Sequence, residues 1–346
     1  MTHPEPLHLI GATRDELRAF VERFGQPPYR ADQVLHWIYA AGTAQLDAMT
    51  NLPKSLRTAL AGRTRLFTST VAEVHEGRDG TTKLLIALHD AQAVEAVIIP
   101  KAGRHTVCIS TQVGCPIGCV FCASGLGGKA RDLTAGEIVE QVLHARRHIE
   151  AGGRLTNIVV MGVGEPLLNF EAVVRALRTV TAPWGLAFSP RRITLSTVGL
   201  PGQIRRLAHE GPHVNLAVSL HAADDATRRR LIPAARPIRK LVEAARDYLE
   251  HTGREVTFEY VLIDGVNDSP DDARGLAEWV GGQPIFVNLL PLNPVEGLPW
   301  REPPHARVAQ FEAELRRRRV QVRLRRRRGG DVAGACGQLR HRRSPT

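Results

Sequence analysis

Between residues 105 and 291 the sequence alternates short apolar, β-branched stretches with amphipathic stretches of helical period. The apolar stretches predict six strands, over residues 105–111, 157–162, 192–197, 214–220, 255–262 and 285–291. Strands separated by helices pair in parallel, because a helical crossover returns the chain to the same end of the sheet. The sequence therefore predicts an α/β fold of six βα units, with a parallel sheet that is open or rolled into a partial barrel.

Small and polar residues stand at or just after the ends of these predicted strands. They are Gly164 and Glu165, Ser196 and Thr197, Ser219 and His221, Asp264, and Asn293. A cysteine-rich stretch follows the first strand in the same way. Because functional groups in barrels of this kind lie at the carboxyl ends of the strands, we expect these residues to crowd one rim and form a site.

The segment before the predicted sheet has a different pattern. Thr13 and Glu16 form a predicted capping box at the start of a helix, and helical patterns continue to about Arg63. The period then changes to two in "KLLIALH" and "VEAVIIP", which predicts strands. The predicted organisation is an N-terminal helical domain (1–66), a β-rich linker (67–104), a partial barrel (105–325) and a C-terminal tail (326–346).

Four of the five cysteines lie between residues 108 and 122. Cys115, Cys119 and Cys122 have the spacing C-x3-C-x2-C. Iron–sulfur clusters of the four-iron type usually take four thiolates, so three would leave one iron open to a chelating small molecule. A zinc site completed by a His or by Cys108 explains the same residues, although zinc motifs usually include a second pair downstream. The spacing favours the cluster.

The charge of the chain indicates a polyanionic partner. The net charge is +11 with His neutral, and arginines are concentrated at residues 316–319 and 323–328. Such a field favours RNA or DNA, although a solvated helix face has the same composition. The first residues lack the basic and apolar runs of a secretory signal, and no apolar stretch approaches the roughly 20 residues that cross a bilayer. We therefore expect a cytoplasmic protein that does not bind membranes.

Two neighbouring motifs resemble the radical S-adenosylmethionine superfamily. "GCVFCASG" includes an aromatic residue, Phe121, before the last cysteine, and "MGVGEPLLN" follows one strand later. In that superfamily the open iron binds the amino and carboxylate groups of S-adenosylmethionine, and the GEP loop receives the amino group. The resemblance implies one 4Fe-4S cluster held by Cys115, Cys119 and Cys122.

Further stretches occur in the order typical of one family. They are "CISTQVGCPIGCVFC", "LTAGEIVEQV", "GEPLLN", "RRITLSTVG", "VSLHA", "VTFEYVLIDGVNDS", "LNPVEG" and "GACGQL". Together they resemble the RlmN/Cfr family of RNA adenine methyltransferases over residues 13–339. The resemblance implies a partial (βα)6 TIM-like radical SAM barrel, a small N-terminal helical domain that binds RNA, and a C-terminal extension. "RLIPAARPIRKL" is shorter than the family pattern, which leaves the entrance near Pro233 undefined.

The family's chemistry implies roles for three more residues. Cys336 accepts a methyl group from one S-adenosylmethionine and becomes S-methylcysteine. A second S-adenosylmethionine, bound at the cluster, yields the radical that activates this methyl group for attack on the base. Cys108 then helps to release the product through a transient disulfide with Cys336, and Glu95 is the proton acceptor. Two S-adenosylmethionine molecules are consumed in each turnover.

The resemblance also implies which residues contact cofactor and RNA. The positions that bind S-adenosylmethionine are Gly164, Glu165, Ser196, Ser219, Leu220, His221 and Asn293. Arg325, Arg326, Arg327 and Arg328 are expected to contact RNA phosphates. Adenine C2 becomes accessible when the base leaves its stack, so we expect unpaired or loop RNA as the target.

The family implies a monomer that methylates C2 of an adenosine in 23S rRNA and of a tRNA adenosine beside the anticodon, with a flavodoxin-like electron donor. The Cfr branch has the same cysteines but methylates C8 of the rRNA adenosine and confers antibiotic resistance. The N-terminal helices and "VGCPIGC" favour the C2 branch. A non-catalytic, zinc-stabilised RNA-binding protein explains the charge and the cysteines, but not "GEP", the polar rim or "ACGQL".

Overall fold

The structure is a computed structural model that describes residues 6–149, 153–325, 327–340 and 342–343. The strands are β1 (Leu7–His8), β2 (Thr64–Arg65), β3 (Ser69–Glu76), β4 (Thr82–Leu88), β5 (Gln92–Lys101), β6 (Arg104–Cys108), β7 (Gln112–Gly114), β8 (Lys129–Asp132), β9 (Leu155–Val160), β10 (Ile193–Thr197), β11 (Asn215–Ser219), β12 (Val256–Leu262), β13 (Phe286–Pro291), β14 (Gln321–Leu324) and β15 (Arg342–Arg343). The α-helices are α1 (Arg14–Arg23), α2 (Tyr29–Leu35), α3 (Lys54–Arg63), α4 (Ala135–Arg147), α5 (Phe170–Thr181), α6 (Pro201–Glu210), α7 (Asp225–Leu231), α8 (Ile238–Thr252), α9 (Pro270–Val280) and α10 (His305–Arg317).

One large sheet forms the centre of the molecule. Its strands pair in the order β3-β4-β5-β6-β9-β10-β11-β12-β13-β14, and β15 pairs with β5. Strands β3 to β6 are antiparallel, whereas β6 and the six strands after it are parallel. The path follows chain order and does not close on itself in the described ranges. This confirms the predicted α/β class and the six predicted parallel strands.

The sheet also contains a seventh parallel strand that the sequence analysis missed. Strand β14 pairs with β13, but only Val322 in it is buried. Its four residues alternate between polar and apolar, but the stretch is short and lies within an arginine-rich run, so the sequence indicates part of a basic segment there. The first predicted strand is shorter than expected. Strand β6 ends at Cys108, and the backbone N–H and carbonyl of Ser110 bond to the side chain of Gln141 (2.8 and 2.9 Å) and not to a neighbouring strand.

The N-terminal helices share their hydrophobic core with the sheet. Buried side chains such as Leu17 and Leu60 belong to one continuous apolar cluster with Ile138 of α4 and Leu195 of β10. The Thr13 capping box is confirmed, since its hydroxyl accepts from the backbone N–H of Glu16. None of the helices in the described ranges has the length and apolar character that crossing a bilayer requires. The domain boundaries remain a prediction.

Candidate active site

The carboxyl ends of the parallel strands surround one cavity. Eleven of the predicted site residues line it: Cys115, Cys119, Cys122, Gly164, Glu165, Ser196, Thr197, Ser219, His221, Asn293 and Cys336. Cys108, Glu95 and Leu220 are not among the lining residues. The rim prediction is wrong for Asp264, which is exposed outside the cavity.

The cysteine motif lies on a loop between β7 and β8. Gly114 has a φ of +79°, and a Cβ there would lie 2.0 Å from the carbonyl oxygen of Gly128, so only glycine fits where the loop begins. The N–H of Cys115 donates to the same carbonyl (2.9 Å). At the other side, the N–H of Val120 donates to the carbonyl of Leu231 (3.0 Å), which fixes the middle of the loop against α7.

The three thiols fit an iron–sulfur cluster. Burial raises the pKa of Cys115 to about 11, and burial with the neighbouring thiols raises the pKa of Cys119 well above its ordinary value. Iron would supply the positive charge that converts such thiols to thiolates. In the described part of the chain, no three His, Cys, Asp or Glu side chains are grouped as ligands of a single metal ion. A four-iron cluster instead binds each thiolate at a different iron, and three cysteines around one cavity fit that requirement.

Glu165 holds the loop after β9 in place. One oxygen of its buried carboxylate accepts from the hydroxyl of Thr197 (2.7 Å) and the N–H of Leu167 (3.0 Å), and the other accepts from the N–H of Val198 (2.7 Å). Burial raises the pKa of Glu165, and these hydrogen bonds oppose the change. The carboxylate therefore braces the ends of two strands, and the backbone of Gly164 borders the cavity.

His221 is a neutral side chain that lines the cavity. Burial, followed by the charge of Arg228, lowers the pKa of His221 to about 3. Its Nδ1 accepts from the N–H of Val261 (3.0 Å), which places the proton on Nε2. The ring meets that of Phe121 edge-on, with 5.2 Å between centroids. Leu220 differs from its predicted neighbours because its side chain is buried in the core.

The C-terminal segment lies across the cavity and brings Cys336 to it. The Asn293 amide donates to the carbonyl of Cys336 (2.9 Å), and the N–H of Ala123 donates to the carbonyl of Gly337 (2.8 Å). The hydroxyl of Ser124 donates to the carbonyl of Leu339 (2.8 Å). These bonds fasten the tail to the cysteine loop on one side and to the end of β13 on the other, and Cys336 lines the cavity between them.

Cys108 and Glu95 lie beneath this tail. Cys108 is buried at the end of β6, and its pKa is raised by burial and then by the charge of Cys336. Both thiols are free. Glu95 is buried in β5, where it pairs with Lys83 (3.2 Å) and accepts from the N–H of Arg340 (2.8 Å). The structure thus places Cys108 and Glu95 against the tail that carries Cys336, since Cys108 packs with Leu339 and Glu95 bonds to Arg340, and both residues lie outside the cavity wall.

The predicted RNA-binding arginines have separate environments. Arg325 is exposed, and Arg326 lies outside the described residues. Arg327 pairs with Glu302 (2.7 Å) and donates to the side-chain oxygen of Asn293 (2.8 Å). Arg328 lies 3.9 Å from Asp79. RNA binding by this run remains a prediction, and Arg327 is already engaged within the protein.

Sequence reasoning missed one carboxylate of the cavity wall. Glu259 lies in β12 and accepts from the hydroxyl of Thr257 (2.9 Å) and the amide of Asn288 (2.7 Å). Burial raises its pKa, and the hydrogen bond from Asn288 opposes the change. The available signal was a charged residue inside the otherwise apolar stretch "VTFEYVL", which is unusual for a strand that is buried on both faces.

Comparisons with known proteins show which family the chain belongs to. The family model described as the radical SAM superfamily matches residues 109–278, and that of the ribosomal RNA large subunit methyltransferase N-terminal domain matches residues 7–66. Over 96% of this chain and 99% of the other, the fold matches the crystal structure of a radical SAM methyltransferase from Sphaerobacter thermophilus, with a TM-score of 0.93 and 48% identity.

Sequence relatives extend the comparison to nearly the whole chain. The "Probable dual-specificity RNA methyltransferase RlmN" of Rhodopirellula baltica is 44% identical over 99% of this chain and 93% of its own length. The "Dual-specificity RNA methyltransferase RlmN" of Syntrophobacter fumaroxidans is 43% identical over 97% and 98%. The fold and the cysteine site define a radical SAM enzyme, a class that implies an iron–sulfur cluster and S-adenosylmethionine. The chain belongs to the RlmN family of RNA methyltransferases.

Proposed function

We propose that this enzyme methylates C2 of an adenosine in 23S rRNA, and of a tRNA adenosine beside the anticodon, through a methyl group carried on Cys336. The observation that carries the proposal is the position of Cys336, on the wall of the cavity that the three motif cysteines also line. The dual-specificity names of the relatives support two RNA substrates.

The base explains why a thiol carrier is needed. Adenine C2 lies between two ring nitrogens and is electron-poor, so it does not attack a sulfonium methyl group as an amine would. A carbon-centred radical adds to such a ring, and the methyl group must therefore be activated before transfer. A thiol that holds the methyl group beside a radical source meets this requirement.

The residues of the cavity have two proposed tasks, which are to ligate the cluster and to bind S-adenosylmethionine. Cys115, Cys119 and Cys122 would hold the cluster, which, when bound, supplies the electron for reductive cleavage of S-adenosylmethionine. The proposed contacts to that cofactor come from the backbone at Gly164 and Glu165, from Leu220, and from polar side chains: Ser196, Ser219, His221 and Asn293. Because His221 is neutral, it offers a hydrogen bond from Nε2 without adding charge to the site.

Product release is the proposed task of the second free thiol. After the carrier carbon joins the base, the resulting radical must lose one proton and one electron to restore the aromatic ring. Glu95 accepts the proton, and the electron would return to the cluster, which supplied one electron for the cleavage. The sulfur of Cys108 then bonds to the sulfur of Cys336 as the bond from that sulfur to carbon breaks. The carbon keeps the bonding pair and takes up a proton to complete the new methyl group. An external reductant restores the thiols. We propose that the protein acts as a monomer and that a flavodoxin-like protein is the electron donor that reduces the cluster.

Nucleoside analysis tests the proposal directly. The anaerobically reconstituted protein is incubated with S-adenosylmethionine, a reductant, and unmodified 23S rRNA or tRNA, and the digested RNA is analysed by mass spectrometry. We expect 2-methyladenosine from both RNAs, and none from a Cys336→Ala variant that retains its iron. 8-Methyladenosine would refute C2 specificity, and a product from only one RNA would refute dual specificity. A Cys108→Ala variant should accumulate a covalent protein–RNA adduct on a denaturing gel.

A further inference from the structure

Arg228 in α7 is completely buried, which is rare for an arginine. Its guanidinium donates to four backbone carbonyls. Nε donates to Leu220 (3.0 Å), Nη1 to Arg236 (2.8 Å), and Nη2 to Val198 (2.7 Å) and Ser219 (3.0 Å). Among the described residues, no carboxylate oxygen lies within the 4.0 Å of a salt bridge to it. The charge is therefore solvated by peptide dipoles and not by an ion pair.

Arg228 lies next to the cavity that the motif cysteines line, because its Nη2 donates to the carbonyls of Val198 and Ser219, two residues of the same cavity wall. Burial lowers the pKa of Arg228 to about 10, and this decrease is opposed first by Cys119 and then by Asp225. At any physiological pH the guanidinium stays charged. The fold thus keeps a fixed cation beside the place where the motif cysteines meet.

The same helix connects this cation to the surrounding loops. The carbonyl of Leu231, at the end of α7, accepts from Val120 between two motif cysteines (3.0 Å). The carbonyls of Val198 and Ser219 belong to the ends of β10 and β11, the strands that carry two proposed cofactor contacts. The connection from α7 to α8 spans only residues 232–237, and it folds back so that Arg236 caps the guanidinium. The shortened stretch near Pro233 is therefore part of the support for Arg228.

We propose that Arg228 is a positioning residue whose charge stabilises the reduced form of the cluster and so raises its reduction potential. This inference rests on the proposed function, because it requires a cluster on Cys115, Cys119 and Cys122. Reduction adds one negative charge to the cluster. A buried cation stabilises that charge more than an exposed one, since little water screens their interaction. Without it, the electron needed to cleave S-adenosylmethionine is harder to deliver.

The test is a redox titration followed by electron paramagnetic resonance, on anaerobically reconstituted protein without S-adenosylmethionine or RNA. In Arg228→Gln, we expect the ratio of reduced to oxidised cluster at a fixed potential to fall at least tenfold, a shift of about 59 mV for one electron. Arg228→Lys keeps the charge, and its ratio should stay within about threefold of the wild-type ratio. Arg239→Gln removes an exposed charge from α8 and should leave the potential unchanged, because solvent and salt screen it.

An Arg228→Gln protein with a full complement of iron and the wild-type potential would overturn the proposal. If that variant assembles no cluster, the lysine variant decides. If Arg228→Lys assembles a complete cluster with the wild-type potential, the charge of Arg228 is supported as the cause. If Arg228→Lys also fails to assemble a cluster, Arg228 has only a packing role and the proposal is overturned. A wild-type protein that assembles no cluster would refute the proposed function itself, so the two failures are distinguishable.

Discussion

Replacing Gly164 by alanine tests whether the loop after β9 sets the affinity for S-adenosylmethionine. Gly164 has a φ of +111°, and an added Cβ would lie 2.7 Å from the Cβ of Gln112 and 2.9 Å from its backbone nitrogen. Rotation of the Gln112 side chain does not relieve these contacts, because both atoms precede its first rotatable bond. The side chain is also held by the N–H of Glu165, which donates to it (2.8 Å).

The size of the effect follows from this strain. An L-residue in such a backbone conformation, with overpacking against a neighbouring strand, costs about 2–3 kcal/mol. The free protein relieves the strain by moving the loop, and cofactor binding must restore its position. The cost therefore appears as weaker binding, and we expect the Kd for S-adenosylmethionine to rise about 30- to 150-fold.

Equilibrium binding of S-adenosylmethionine to anaerobically reconstituted protein of verified iron content measures this Kd. Gly202→Ala is the matched control, since Gly202 lies in α6 and nothing stands within 4 Å of an added Cβ. It should leave the Kd unchanged and stabilise the fold by up to about 1 kcal/mol. A Gly164→Ala protein with a full cluster and an affinity within threefold of the wild-type value would refute the reasoning.

Three further substitutions give distinct readouts. Thr197→Val removes the hydrogen bond to the buried carboxylate of Glu165 and the one that the hydroxyl accepts from the N–H of Gly199. It should lower the free energy of unfolding in urea by about 1.5–3 kcal/mol; an equal loss in Thr194→Val, on the same strand, would contradict this. His221 is neutral when folded, so the unfolded chain takes up one more proton as the pH falls from 6.5 towards about 3. The free energy of unfolding should therefore fall by about 1.4 kcal/mol for each pH unit below 6.5, and His221→Gln should remove this contribution to the pH dependence. The same pH dependence in the variant and the wild-type protein would disprove a buried neutral imidazole. Cys119→Ala should reduce the iron content from about four per chain to nearly none, and a brown variant with full iron would exclude Cys119 as a ligand.

Local signals predicted much of the fold correctly. The capping boxes at Thr13 and Thr134 are confirmed, because each depends on residues only three positions apart. The polar residues at strand ends came together for a similar reason. In a parallel sheet every carboxyl end reaches the same rim, so the end of each strand could be read separately.

Features that depend on distant parts of the chain could not be predicted. Arg327 reads as one more member of a basic run, yet Glu302, its partner, lies 25 residues away in sequence. Arg228 stands in "TRRRL" beside two exposed arginines, and nothing in that stretch distinguishes it. Glu259 stands out as a charged residue in its apolar stretch, but its hydrogen bond with Asn288 of the next strand could not be read from that stretch. In each case the role of the residue depends on a partner that is distant in the sequence and is brought close by the fold.

Asn293 occupies a position that links cofactor binding to the order of the C-terminal segment. Its amide donates to Cys336 and accepts from Arg327, so a single side chain holds the segment at two points nine residues apart. If the same amide binds S-adenosylmethionine as proposed, cofactor binding and ordering of the C-terminal segment are linked by one free energy of coupling. Cofactor would then protect this segment from proteolysis by the same factor by which loosening the segment weakens cofactor binding. The methyl carrier would be held in place most firmly when the methyl donor is present.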